Sequence, residues 1–156
     1  MRDDTQRAAV VLLAEDNEAD VELTQLSIKQ TGRPIELHTV EDGEQCMAFL
    51  RKQSRFIDAP TPQLVLLDLH MPRMNGLEVL KAVREDVLLR HLPVVMLTTS
   101  TNDVDVESAY ARCCSGYIVK PMGFSDFVRV IDGVLLYWLS LCVLPTERPS
   151  RTRARS

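Results

Sequence analysis

Four apolar segments of this sequence are each followed at once by polar residues that can take part in chemistry. These residues are Glu15 and Asp16 after the first segment, Asp68 after another, and Thr98 and Lys120 after two more. Short, uninterrupted apolar runs are typical of strands that are buried on both faces of a parallel sheet. The carboxyl ends of parallel strands meet at one edge of the sheet, where open α/β sheets bind their ligands. We therefore expect these five side chains to lie close together.

The residue types at this edge predict phosphoryl chemistry. Three converging carboxylates repel one another and need a counter-cation, and ligands that offer only oxygen favour Mg²⁺ over Zn²⁺ or copper. A lysine and a hydroxyl beside the metal can neutralise an incoming phosphoryl group and donate hydrogen bonds to its oxygens. Asp68 would then be the nucleophile and form an acyl phosphate. Taken singly, each residue is equally compatible with a helix cap, a turn or a surface charge.

The pattern along the chain predicts an α/β fold with a five-stranded parallel sheet and helices on both of its faces. The strands are predicted at 8–14, 35–40, 64–67, 93–97 and 116–119. The first helix has Ala19, Leu23 and Leu26 on one face and ends at Thr31 and Gly32. The third helix has Leu77, Leu80, Val83 and Val87 on one face. The second, fourth and fifth helices span about 44–52, 102–114 and 125–141, and 53–62 is predicted as a loop.

Length and composition indicate one domain at 8–144 and a basic, disordered tail at 145–156. The chain has 156 residues and a formal net charge of -4, which gives no reason to expect nucleic acid or an anionic membrane as a partner. No secretory signal or membrane span is predicted, so the expected location is cytoplasmic. The four cysteines contain no C-x-x-C pair and are predicted to be small buried apolar residues: Cys46, Cys113, Cys114 and Cys142.

The combined motif resembles the receiver domain of two-component response regulators, a doubly wound, flavodoxin-like fold. The resemblance covers about 10–141. It rests on Glu15-Asp16, Asp68 with Met71-Pro72 and Asn75-Gly76, Thr98, and Tyr117 with Lys120-Pro121.

The resemblance implies a role for each matching position. Asp68 would accept a phosphoryl group from the phosphohistidine of a sensor histidine kinase, and Thr98 and Lys120 would contact the phosphoryl oxygens. Tyr117 would be the aromatic switch that reshapes the face made by helix four, strand five and helix five. The implied Mg²⁺ ligands are Asp16 and Asp68 directly, Glu15 through water, and the backbone carbonyl of His70. Two positions depart from the commonest members of the family: His70 and Ser100 would flank the path of the hydrolytic water, although His70 is also compatible with a plain solvent-facing residue.

The last predicted helix is apolar on all its faces. One face should pack on the sheet: Phe127, Val130, Ile131, Val134, Leu135 and Trp138. Four further apolar residues lie on other faces and need a cover: Val128, Leu136, Leu139 and Val143. A second copy of the chain, giving a symmetric homodimer, is the expected cover, and a tail folded back on its own domain is the alternative.

Short motifs narrow the resemblance to the small response regulators of bacterial phytochromes. The motifs are Tyr137-Trp138-Leu139-Ser140 with Leu144-Pro145, and Leu97-Thr98-Thr99-Ser100. Because about fifteen residues follow the last helix, no output domain is expected there, and the chain is interpreted as a stand-alone regulator and not an enzyme.

Three alternatives stay open. They are a phosphate shuttle or sink that feeds a histidine phosphotransfer protein, an interaction scaffold that is never phosphorylated, and a flavodoxin-like enzyme. The enzyme would need a loop that cradles phosphate after strand one, where Glu15-Asp16-Asn17-Glu18 would repel it.

Overall fold

Five parallel strands form one sheet at the centre of the protein. The computed structural model describes residues 8–145. The strands are β1 (Ala9–Ala14), β2 (Ile35–Val40), β3 (Leu64–Leu67), β4 (Val94–Thr98) and β5 (Gly116–Val119). Their order across the sheet is β2-β1-β3-β4-β5. The helices are α1 (Glu18–Thr31), α2 (Gly43–Leu50), α3 (Gly76–Glu85), α4 (Asp103–Ala111) and α5 (Phe124–Leu135), and α5 continues into a π-helical turn at Leu136–Leu141.

Alternate residues of each buried strand face opposite layers of helices. Leu12 and Ala14 of β1 pack with α2, α3 and α4, whereas Val11 and Leu13 pack with α1 and α5. The five-stranded, doubly wound sheet that the sequence predicts is therefore confirmed. The chain leaves β1 for β2 on one side and later returns to β3 on the other, which opens a crevice at the carboxyl ends of β1 and β3.

Most helix ends agree with the sequence. Gly32 ends α1 in the left-handed conformation with φ 74°, and the Asn102 side chain accepts a hydrogen bond from the Val104 N–H at the start of α4. Helix α4 is shorter than predicted because the chain turns at Cys113, which has a positive φ of 65°.

The predicted apolar face of the third helix is wrong at Val87. Helix α3 ends at Glu85, and the Asp86 side chain accepts a hydrogen bond from the Leu88 N–H, which turns the backbone out of the helix. Val87 is 68% exposed.

The predicted face of the first helix is wrong at Ala19 and Leu26, which are exposed. The buried residues of α1 are Thr24, Ser27 and Ile28, because α1 packs against α5 as well as against the sheet.

The prediction that the cysteines are buried is right for Cys46 and Cys114. It is wrong for Cys113, which is exposed at its turn, and Cys142 is half-buried. None of the four forms a disulfide.

Among residues 8–145, no helix is long and apolar enough to cross a membrane. Of the predicted tail at 145–156, residues 146–156 lie outside the described residues.

Candidate functional site

Three carboxylates meet at the crevice between β1 and β3. Glu15 and Asp16 follow β1, and Asp68 follows β3. Each residue offers one oxygen, and the three oxygens lie within 4.8 Å of one another. Glu15 and Asp68 are buried and Asp16 is exposed, so the cluster opens to solvent on one side. An oxygen-only donor set of this kind fits a divalent cation.

Lys120 supplies the positive charge beside this cluster. Its Nζ donates to Glu15 Oε1 at 2.5 Å and to Asp20 Oδ2 at 2.8 Å, and it lies 4.0 Å from Asp68 Oδ1. The Lys120 side chain is only 6% exposed. Its backbone N–H donates to the Thr98 carbonyl at 2.8 Å, which holds the ends of β4 and β5 together.

Burial and neighbouring charges shift the titration of this pair. Burial raises the pKa of Glu15 to about 7; the hydrogen bond from Lys120 opposes this rise, and the Asp68 carboxylate adds to it. Burial by itself would lower the pKa of Lys120, but the hydrogen bonds to Asp20 and Glu15 outweigh it, and the pKa is raised. Four carboxyl groups, those of Glu15, Asp16, Asp68 and Asp20, lie around this single ammonium group, and such an excess of acidic groups favours binding of a cation.

The phosphoacceptor candidate is oriented by its own loop. Asp68 Oδ1 accepts a hydrogen bond from the Leu69 N–H at 2.8 Å. The loop closes where the Gly76 N–H donates to the Leu69 carbonyl at 2.8 Å, and Asn75 then caps α3 in a reciprocal capping box with Glu78. A Cβ on Gly76 would lie 2.3 Å from the Asp68 carbonyl oxygen. Only glycine lets α3 begin this close to the strand that ends at Asp68.

Thr98 and Tyr117 lie on the other side of Asp68. Thr98 is fully buried at the end of β4. The half-buried Tyr117 of β5 donates its hydroxyl hydrogen to the Ser100 carbonyl at 3.0 Å, and the Ser100 hydroxyl contacts Asp105 Oδ2 of α4 at 2.6 Å. Burial raises the pKa of the Tyr117 hydroxyl, with the Ser100 contact opposing this rise. The aromatic ring is thus tied to the loop that follows Thr98. His70 is exposed.

Asp42 and Arg73 form an ion pair in this region that the sequence does not predict. Asp42 is 2% exposed, caps α2 by accepting from the Gln45 N–H at 2.8 Å, and accepts from Arg73 Nε at 2.8 Å. Burial by itself would raise the pKa of Asp42, but the bonds from Gln45 and Arg73 outweigh it and the pKa is lowered. The pair joins the start of α2 to the loop that carries His70. In the sequence, Asp42 followed by Gly43 is typical of a turn, and this local pattern says nothing about a distant arginine.

Arg73 has a positive φ of 66°, which leads to a testable prediction. Arg73→Ala and Arg73→Gly both remove the guanidinium that contacts Asp42, but only glycine adopts this backbone conformation without strain. We expect the alanine variant to be less stable than the glycine variant by about 1 kcal/mol in urea unfolding. Equal stabilities of the two variants would show that the backbone at position 73 is unstrained.

The apolar residues near the end of the described chain are covered unequally. The residues predicted to pack on the sheet do so: Phe127, Ile131, Val134 and Leu135 are buried, and Val130 and Trp138 are partly buried against the same cluster. Leu136 is exposed and Val143 is almost fully exposed, whereas Val128 and Leu139 are half-buried. Leu139 packs on its own domain. The π-helical turn, closed by the Cys142 N–H and the Tyr137 carbonyl at 2.8 Å, shifts the faces from those of a regular helix.

Comparison with known proteins gives relatives along almost the whole chain. The response regulator receiver domain family matches residues 11–132. The response regulator Rcp1 of Synechocystis sp. is 37% identical over 145 residues, which cover 93% of this chain and 99% of Rcp1.

Solved structures agree with these matches. The phosphorylated cyanobacterial phytochrome response regulator RcpA has a TM-score of 0.85 at 37% identity, over 89% of this chain and 99% of RcpA. The Mn²⁺-bound form of Rcp1 has a TM-score of 0.82 at 37% identity, over 88% of this chain and 99% of that structure. With its crevice carboxylates, its buried lysine and these matches, the chain belongs to the response regulator receiver domain family and is related to the phytochrome response regulators.

Proposed function

We propose that this protein accepts a phosphoryl group on Asp68 from a sensor histidine kinase in a Mg²⁺-dependent reaction and acts as a signalling module. The observation that supports this most directly is the meeting of Glu15, Asp16 and Asp68 beside the buried Lys120. The cytoplasm is the proposed compartment, since the cysteines are unpaired.

Each residue of the site has a chemical role in this proposal. An Asp68 carboxylate oxygen attacks the phosphorus atom, the P–N bond of the phosphohistidine breaks, and an acyl phosphate forms. Asp16 and Asp68, with Glu15 through water and the His70 carbonyl, would hold Mg²⁺. The metal would neutralise charge on the phosphoryl oxygens. Lys120 and Thr98 donate to those oxygens and thereby stabilise the charge that develops during transfer.

The proposed output is a rearrangement of the face made by α4, β5 and α5. A phosphoryl group on Asp68 adds acceptor oxygens that draw the Thr98 hydroxyl toward them. Tyr117 is hydrogen-bonded to the Ser100 carbonyl, and the Ser100 hydroxyl is hydrogen-bonded to Asp105 of α4. Movement of the loop after Thr98 would therefore be transmitted directly to α4. Phosphorylation would then shift the population between two arrangements of this face.

Intact-mass measurement after incubation with acetyl phosphate tests the chemistry. We expect a gain of one phosphoryl group that requires Mg²⁺ and is absent in Asp68→Asn. The matched control is Asp58→Asn, which removes an exposed carboxylate elsewhere and should leave the gain unchanged. If the wild-type protein gains no phosphoryl group from acetyl phosphate or from a phosphorylated histidine kinase, the proposal is wrong.

The proposed kinase partner is a phytochrome, which is supported by the relatives that are phytochrome response regulators. Transfer from a phosphorylated phytochrome kinase should be at least ~10-fold faster than from an unrelated histidine kinase, because cognate contacts are worth a kilocalorie or more per mole. Equal rates from both kinases would argue against this partner.

A homodimer is proposed on the apolar surface at the end of α5. Leu136 and Val143 are exposed there, and polar substitution at these positions leaves the packing of α5 on the sheet intact. We expect Leu136→Glu with Val143→Glu to halve the molar mass measured by light scattering. Ile57→Glu serves as the control, because Ile57 is an exposed apolar residue that is distant in sequence from Leu136 and Val143. A double variant that keeps the mass of a dimer would place the interface elsewhere.

A further inference from the structure

Asp20 contacts the site although it belongs to neither the predicted metal ligands nor the strand ends. It lies in the first turn of α1, and its Oδ2 accepts from Lys120 Nζ at 2.8 Å. Its backbone is engaged separately: the N–H donates to the Asn17 side chain, and the carbonyl accepts from the Thr24 hydroxyl. The Asp20 side chain does not cap α1, and its carboxylate contacts Lys120.

The position of Lys120 is set by a competition between carboxylates. An ammonium group has three N–H donors, and two of them are taken by Glu15 and Asp20. Asp68 Oδ1 is 4.0 Å from Nζ, which is beyond hydrogen-bond distance. A lysine that closed this gap would bind the carboxylate of the proposed nucleophile and make it less available to attack phosphorus. It would also compete with a cation for the same carboxylate.

Asp20 is the partner of Lys120 that lies outside the acidic cluster. Glu15 is one of the three carboxylates that can hold a cation. A bound cation would therefore compete with Lys120 for the Glu15 carboxylate. Asp20 has no such second role in the described cluster. Its contact with Lys120 can therefore persist when Glu15 turns toward a metal.

We propose that Asp20 is a positioning residue for Lys120: it holds the ammonium group beside Asp68 but not on it, where the oxygens of an incoming phosphoryl group can reach it. This inference rests on the proposed phosphoacceptor function of Asp68. In the metal-free protein Asp20 shares Lys120 with Glu15, and in the metal-bound protein it keeps Lys120 away from the nucleophile.

The test compares Asp20→Ala with Glu18→Gln in the full chain. Both variants remove one negative charge from the first turn of α1, but Glu18 is exposed and is not one of the residues that contact Lys120. The first readout is the side-chain ammonium NMR signal of Lys120 in protein labelled with ¹⁵N-lysine, recorded with and without Mg²⁺. The second is the rate of phosphorylation by acetyl phosphate at saturating Mg²⁺.

The wild type and Glu18→Gln are expected to keep the Lys120 signal when Mg²⁺ is added, whereas Asp20→Ala should shift or lose it. The phosphorylation rate should fall ~10-fold in Asp20→Ala and change less than ~2-fold in Glu18→Gln. An unchanged Lys120 signal in Asp20→Ala overturns the inference, even if the rate falls through a general loss of structure. If the wild type gains no phosphoryl group, the proposed function fails, while the NMR comparison still decides whether Asp20 positions Lys120.

Discussion

Lys120→Met is expected to lower the free energy of unfolding of the metal-free protein by about 3 kcal/mol. Lys120 is the buried cation that contacts Glu15 and Asp20, and removing one partner of a buried ion pair leaves an uncompensated charge. Methionine keeps most of the side-chain volume, so the loss reports charge and not a cavity. Urea unfolding with a metal chelator present measures it.

The loss should depend on pH and on Mg²⁺. The pKa of Glu15 is raised by burial and by Asp68 to about 7 even with Lys120 present, and without Lys120 the contribution that lowers it is gone. The carboxyl group of Glu15 then keeps its proton in the folded state, whereas the unfolded state releases it near pH 4.5. The stability of the variant therefore falls as the pH rises from about 4.5 to the raised pKa of Glu15. We expect a larger deficit at pH 8 than at pH 6, and Mg²⁺ should reduce it by supplying the missing positive charge.

Lys81→Met is the matched control for this experiment. Lys81 pairs with Glu85 at 2.8 Å on the surface of α3, where both side chains are more than half exposed. Its loss should change the stability by no more than about 0.5 kcal/mol. A deficit for Lys120→Met that is as small as this, or that is independent of pH, would contradict the charge balance described for the site.

Gly76→Ala is expected to destabilise the protein by about 3 kcal/mol and to slow phosphorylation of Asp68. The added Cβ would lie 2.3 Å from the Asp68 carbonyl oxygen and 2.9 Å from the Leu69 Cα, and neither backbone atom can move without shifting the loop. The side chain of the proposed phosphoacceptor belongs to the same residue as this carbonyl, so relief of the overlap misplaces that side chain. Thermal or urea unfolding, with acetyl phosphate kinetics, measures both effects.

Gly133→Ala provides a control of opposite sign. Gly133 lies within α5, and a Cβ at this position meets nothing within 4 Å. Alanine should stabilise the helix by about 0.5–1 kcal/mol, because glycine loses more backbone entropy on folding. If Gly76→Ala were as stable as the wild type or more stable, close packing at Gly76 would not be the reason that glycine is needed there.

Several features of this site can be predicted from local sequence. The apolar runs before Glu15 and Asp68 are buried strands, as expected for short runs with few polar residues in a parallel sheet that is covered on both faces. Their order along the chain places the carboxylates at one edge. The Asn102 cap follows from the competition of a short polar side chain for free backbone N–H groups. These are short-range effects, and the fold class and family follow from them.

Other features depend on residues that are distant in sequence. Leu26 looks like a core residue by helical spacing, but the packing of α5 on α1 buries Thr24 and Ile28 instead. The sequence pattern places Leu139 among the residues that need a cover, but it packs on its own domain together with Leu135, four residues before it.

The sequence by itself determined the sheet, its strand order along the chain and the carboxylate, hydroxyl and lysine set at its edge, since each depends on composition within a few residues. Only the tertiary structure decided which partners these groups have. The contact of Lys120 with Asp20, the pairing of Asp42 with Arg73 and the approach of Gly76 to Asp68 all join different elements. Their energies depend on distances of a few ångströms and on burial, and both quantities are set when the helices pack on the sheet.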